Sequence, residues 1–151
     1  MVQKNKNYFD LIKLQALAIK LSLELKSGSL ILLKGELGAG KTTFARFLIN
    51  NLYELNNLKA PNSIKSPSFP ILLTYDLDSI EIFHYDLYRI KNISELNELN
   101  IDENINQSIT IIEWPELILE KNINYKYHLV ELKIQNEFIR LVDLNYKNYN
   151  D

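Results

Sequence analysis

Apolar and polar positions along the chain alternate between two periods. From 10 to 25 the apolar side chains Leu11, Leu14, Leu17, Ala18, Leu21 and Leu25 recur every three or four residues. That spacing predicts a helix, with Asp10 as its N-cap and Gly28 just beyond its end. Leu30 to Leu33 is a continuous apolar run, the pattern of a strand buried on both faces of a sheet. A glycine-rich stretch follows, and Thr43 to Leu52, with Phe44, Phe47, Leu48 and Leu52 on one face, reads as a second helix. Residues 56 to 70 are polar and turn-rich, long enough to suggest a functional loop. Ile71 to Tyr75 and Ile80 to Tyr85 read as an antiparallel hairpin. Ser94 to Leu99 reads as a short helix capped by Ser94, and Ile101 to Ile105 as a further turn. Ile109 to Ile112 is a second fully apolar run, a candidate central strand ending in Glu113, Trp114 and Pro115. Tyr125 to Ile134 and Phe138 to Tyr146 form a closing hairpin around Gln135, Asn136 and Glu137. No repeat or linker interrupts this order, so the expected architecture is one α/β domain over 1–151 with a mixed central sheet.

Composition then narrows the chemistry. With no Cys among 151 residues, disulfides, thiol nucleophiles, Cys-zinc sites and iron–sulfur clusters are excluded, and two isolated His, His84 and His128, disfavour a His-rich metal centre. A net charge of −2 argues against a protein that grips nucleic acid through its own basic face. The start, Met1 to Asn7, is polar and leads into an amphipathic pattern rather than an apolar span, so a cytoplasmic protein is expected. Three of the four glycines, Gly35, Gly38 and Gly40, fall within six residues. A chain sparing with glycine has concentrated its backbone freedom in one loop, as close approach of main chain to a ligand requires.

Gly35-Glu36-Leu37-Gly38-Ala39-Gly40-Lys41-Thr42 fits the Walker A pattern, with an apolar strand before it and a helix after it. Main-chain N–H groups from Leu37 to Thr42 and the positive end of the following helix are expected to make an anion nest. Lys41 would reach the β- and γ-phosphates, Thr42 would be a Mg²⁺ ligand, and Thr43 would support the helix start. Glu113 is the best-placed acid to complete the Mg²⁺ site, with an exposed strand-end Glu as the alternative. Asp86 is the second candidate acid; alternatively it caps a turn or pairs with Arg89. No Gly follows Gly40, so the Asp-x-x-Gly switch of GTPases is absent, and only Arg46, Arg89 and Arg140 are available for the arginine cluster of a small-molecule kinase.

Five segments in order resemble one family. They are Gly-Glu-Leu-Gly-Ala-Gly-Lys-Thr-Thr at 35–43, Lys-Ser-Pro-Ser-Phe at 65–69, His-Tyr-Asp-Leu-Tyr-Arg at 84–89, Glu-Leu-Asn-Glu-Leu at 95–99 and Ile-Glu-Trp-Pro-Glu at 112–116. The chain thereby resembles the bacterial TsaE (YjeE) ATPases of tRNA threonylcarbamoyladenosine synthesis. The resemblance implies a three-layer P-loop fold and a Mg²⁺-dependent ATPase, of low intrinsic activity without its partners, that acts with the TsaB and TsaD proteins, touching tRNA only through that complex. It implies that Thr42 and Glu113 hold Mg²⁺, that Asp86 is needed for hydrolysis alongside Lys41, and that the Ser-Pro segment is a switch-like loop. Trp114 would sit by the nucleotide, and adenine contacts would come from Asp10 and Leu11 and from the late hairpin near Asn136. Two departures stand out: Ser68 replaces the family's usual Thr but keeps a hydroxyl for phosphate or Mg²⁺, and Asn100 replaces a Gly in a position where Asn tolerates left-handed backbone. His84 reads more naturally as a hydrogen-bonded core residue than as a catalyst. Tyr88 and Arg89 suit either transition-state charge or a partner surface. A small-molecule P-loop kinase and a non-hydrolysing nucleotide-dependent adaptor stand as alternatives.

Overall fold

A computed structural model describes residues 7–147; the polar start at 1–6 lies outside them. Among the described residues seven strands form one mixed sheet: β1 (Tyr8–Phe9), β2 (Leu30–Gly35), β3 (Leu72–Asp76), β4 (Glu81–Asp86), β5 (Ile109–Glu113), β6 (Tyr127–Ile134) and β7 (Arg140–Lys147), in the spatial order β1-β7-β6-β2-β5-β4-β3. The helices are α1 (Leu11–Ser22), α2 (Lys41–Leu55), α3 (Ile93–Glu98) and α4 (Glu116–Glu120), with a 3₁₀ turn at Ile101–Glu103.

The two continuous apolar runs lie side by side at the centre. β2 pairs in parallel with both β5 and β6, and β5 pairs in parallel with β4. Their side chains alternate between two cores, as period two requires. Ile31, Leu33, Ile109 and Ile111 pack under α1 and α2 with Phe44 and Leu48. Leu30, Leu32 and Ile112 face the opposite layer with Leu96, Ile101 and Ile118. The three-layer arrangement is as the resemblance implies, and both hairpins, β3–β4 and β6–β7, are as the pattern predicts.

Local chemistry corrects several boundaries. α1 stops at Ser22, short of Leu25, and Leu11 is 60% exposed rather than on the buried face. Gly28 is not its cap; with φ +89° it turns the chain into β2 and donates its N–H to Ser108 O. α3 is capped by Asn92, whose side chain accepts from Glu95 N, and Ser94 lies inside the helix. Asn100 does adopt left-handed backbone, at φ 50°. β1 and α4, two and five residues long, carry too few positions to show a period. Among the described residues no helix is long and apolar enough to cross a membrane.

A candidate nucleotide-binding site

β2 delivers the chain into the glycine loop at the edge of the sheet where β4 and β5 also end. Gly35, the last residue of β2, is packed tightly against β6 and the loop's own turn: a Cβ on it would sit 2.6 Å from Leu132 O and 3.0 Å from the Ala39 Cβ. α2 then starts at Lys41 with no side chain capping it. Its first-turn N–H groups and dipole are therefore turned toward the loop without a protein acceptor from a cap, the condition for an anion site. One amide is withdrawn from the expected nest, since Ala39 N–H donates to Glu36 O at 3.1 Å.

Lys41 folds over this loop. Its Nζ donates to Gly35 O at 2.6 Å and Glu36 O at 2.8 Å, and lies 3.9 Å from the centre of the Trp114 ring. Burial pushes the ammonium below its ordinary value of 10.5, opposed by the nearby charges of Glu113, Glu116, Asp86 and Glu36. An anion placed against Nζ would relieve that burial cost.

The two candidate acids emerge together because β4 and β5 are parallel and in register, with Asp86 opposite Glu113. Alternation puts His84, Asp86 and Glu113 on the α2 face of the sheet. All three are buried. Glu113 is held at both oxygens: Thr42 Oγ1 donates to Oε1 at 2.6 Å, and His84 Nε2 lies 3.1 Å from Oε2. Asp86 accepts from Ser66 Oγ and from Tyr88 N, each at 3.0 Å. It thus does cap a turn, and the alternative pairing with Arg89 is absent: that guanidinium lies 5.3 Å from the Phe69 ring centre. Glu113 is no exposed strand-end acid, being 1% exposed.

A cleft of about 440 Å³ gathers most of the residues named from sequence. Leu37, Gly38, Gly40, Lys41, Thr42 and Thr43 form its loop side, with Ser68, Asp86, Glu113 and Trp114 across from them. Trp114 reaches it from a left-handed backbone, φ 59°, its ring 4.8 Å from that of Tyr88. A smaller cavity, about 250 Å³, lies on the other side of the loop between Asp10, Leu11, Ala39 and Phe138. Asn136 is not among its walls. The Asn136 side chain accepts from Phe138 N and Ile139 N, both at 2.9 Å, and so shapes the turn that presents Phe138. Asp10 caps α1 through Lys13 N at 2.8 Å.

Three site residues escaped the sequence reading. Arg46 lines the cleft and donates from Nε to Ile64 O at 2.5 Å, tying α2 to the Ser-Pro loop; its place one helical turn after Thr42 was a usable signal. Ser66 holds Asp86, a pairing across 20 residues with no local signature. Arg140 reaches back to the loop from β7, which only the tertiary fold reveals.

The chain matches known proteins in sequence and in fold. The family profile described as "Threonylcarbamoyl adenosine biosynthesis protein TsaE" matches residues 10–141. The tRNA threonylcarbamoyladenosine biosynthesis protein TsaE of Rickettsia felis is 42% identical over 102 residues, 68% of this chain and 57% of that protein. Its Rickettsia typhi counterpart is 37% identical over 125 residues, 83% of each chain. The match thus spans little more than half the length of the R. felis protein and 55% of the similar R. conorii one. Among solved structures, Bacillus subtilis YdiB shares the fold, with a TM-score of 0.65 at 24% identity over 94% of this chain and 84% of that one.

Proposed function

The chain belongs to the TsaE family, and from that premise we propose that it binds and hydrolyses ATP with Mg²⁺, as a component of tRNA threonylcarbamoyladenosine synthesis acting with TsaB and TsaD. The observation that carries the reading is the direct contact of Thr42 Oγ1 with Glu113 Oε1, 2.6 Å apart beside the uncapped start of α2.

Those two oxygens are hard donors at the edge of an anion nest, the donor set Mg²⁺ takes when phosphates and water supply its remaining ligands. Bound there with the nucleotide, Mg²⁺ would neutralise charge on the phosphate oxygens. The protein's own part is positioning and charge. Loop and helix N–H groups hold the phosphate tail, and Lys41, exchanging its carbonyl partners for phosphate oxygens, adds a point charge. Asp86, fixed by Ser66 and the Tyr88 N–H, keeps lone pairs free to orient a water and accept its proton. Thr43 and Ser68 present hydroxyls from either wall, and the smaller cavity beside Asp10, Leu11 and Phe138 suits an adenine base.

A partner is supported by the mouth of the cleft. Leu37 and Tyr88 line it and are 77% and 59% exposed, and Phe69, next in sequence to the cleft-lining Ser68, is 80% exposed, apolar surface that gains most from being covered.

Phosphate release measured with and without TsaB, TsaD and tRNA tests the reading, in the wild type and in Lys41→Ala, Asp86→Ala and Glu113→Ala. Loss in all three variants is expected, by about a hundredfold or more. Wild-type rates in the three would remove it. Label from the γ-phosphate on an organic acceptor would favour a kinase, and tight ATP binding without phosphate release an adaptor.

A further inference from the structure

We infer that His84 is a positioning residue, which locks the Glu113 carboxylate so that a single oxygen, Oε1, is presented to the cation beside Thr42. The inference rests on the reading of Glu113 as the carboxylate that faces Mg²⁺.

His84 occupies a place that ordinary packing would give to an apolar side chain. It is 0% exposed in β4, with Leu73 opposite it in β3 and Ile111 opposite it in β5. Its Nδ1 is buried with no hydrogen-bond partner among the described residues. A Leu or Phe there would leave no orphaned atom. What the imidazole adds is one bond, from Nε2 to Glu113 Oε2 at 3.1 Å. With the carboxylate ionised, Nε2 carries the proton and donates it.

The bond has a directional consequence. A glutamate side chain turns readily about its last torsion, which has broad, two-fold preferences, so either oxygen can face a ligand. Donors on both oxygens, Thr42 on Oε1 and His84 on Oε2, remove that freedom. Once Thr42 and Oε1 turn to a cation, His84 is the remaining donor that keeps the carboxylate plane fixed. Outer partners of this kind orient metal-binding groups, and their loss costs roughly 10–100-fold in metal affinity.

Trp114 is the single Trp in the chain and lies against Lys41 in the cleft, so its fluorescence can report nucleotide binding. ADP is titrated in EDTA and then Mg²⁺ is titrated at saturating ADP, for the wild type, His84→Leu, His84→Gln and Glu113→Gln. The expected result is that His84→Leu binds ADP in EDTA within about twofold of wild type but needs at least tenfold more Mg²⁺. His84→Gln, whose amide nitrogen can donate where Nε2 did, recovers most of that loss. The inference is overturned if Glu113→Gln raises the Mg²⁺ requirement while His84→Leu does not, or if Gln and Leu at position 84 behave alike. A wild type whose Trp114 signal responds to neither ADP nor Mg²⁺, or a Glu113→Gln variant with an unchanged Mg²⁺ requirement, overturns the functional reading itself and the inference with it.

Discussion

The guanidinium of Arg140 donates from Nε to the carbonyl oxygen of Ala39 at 2.9 Å, joining the first residue of β7 to the glycine loop across 101 positions of sequence. Its second arm reaches Gly38 O at 3.2 Å, and NH1 donates to Asn136 O at 2.8 Å and Ile139 O at 3.1 Å. One planar fork thus fixes the hairpin turn and the loop relative to each other. Lysine cannot reproduce that geometry. Arg140→Lys is expected to lower stability by about 1.5–3 kcal/mol, the range for hydrogen bonds to charged groups. Nucleotide affinity should fall about tenfold, or ~1.4 kcal/mol, as the loop loses its tether. Denaturant unfolding and an ADP titration measure the two; unchanged affinity would mean that the loop holds its shape without Arg140.

Two loop glycines should fail for different reasons. At Gly35 an added methyl meets the Leu132 carbonyl at 2.6 Å, which cannot move without disturbing the β2–β6 ladder. At Gly38 nothing lies within 4 Å, but φ is +79°, where an L side chain is strained. Gly38→Ala is expected to cost about 1–2 kcal/mol through backbone strain alone. Gly35→Ala should cost more, at or above the roughly 1–3 kcal/mol of an overpacked core. Thermal unfolding of both variants decides it, and equal losses would contradict the steric account.

The capping of α3 shows how far local sequence carries. Ser94 and Asn92 are both good N-cap residues, and either reading leaves the same apolar residues on the buried side. The structure uses Asn92, and a local reciprocal pair holds it there: Asn92 Oδ1 accepts from Glu95 N at 2.9 Å and Glu95 Oε2 accepts in turn from Lys91 N at 2.8 Å. By contrast, Leu30–Leu33 and Ile109–Ile112 were legible because unbroken apolar runs of that length have few other homes, and the loop between β2 and α2 because its glycines are so concentrated. Residues that act across the fold, Ser66, Arg140 and His84 in its contact with Glu113, leave no periodic trace. Asn92→Ala should cost about 1 kcal/mol and Ser94→Ala less than about 0.5 kcal/mol. The reverse order in urea unfolding would return the cap to Ser94.

At the opposite end of the sheet from the glycine loop, His128 packs against Tyr146 with ring centres 4.7 Å apart and planes tilted by 46°. Burial lowers its pKa from 6.5, opposed by Glu24. The unfolded chain therefore binds a proton that the folded chain resists. Stability contributed by neutral His128 is fully present above 6.5 and is lost as pH falls through 6.5 toward the lower folded value. Subtracting the stability of His128→Phe, which keeps a ring against Tyr146, isolates this contribution from the carboxylates. The difference should be flat above about pH 7.5 and should shift against the wild type as pH falls below 6.5. A difference that is level across the whole range would show that His128 is protonated equally well in both states.

If the chain docks on TsaB and TsaD as proposed, Phe69 separates most sharply what the chain does alone from what it does when docked. Phe69 is 80% exposed on the Ser-Pro loop and is not part of the cleft wall, and the Arg89 guanidinium lies 5.3 Å from its ring centre. Removing it takes nothing from the core, so Phe69→Ala should leave stability within about 0.5 kcal/mol. Phosphate release by the isolated protein should also be unchanged. An exposed aromatic ring beside a site that the proposed partner would cover has the character of an interface anchor, where truncation commonly costs about 2 kcal/mol or more. The expected signature is a loss of roughly thirtyfold or more in affinity for the TsaB–TsaD pair, with stimulated turnover recovered at saturating partner. Phosphate release titrated against partner concentration separates the two parameters. Full stimulation at wild-type partner concentration would place the docking surface elsewhere on the chain.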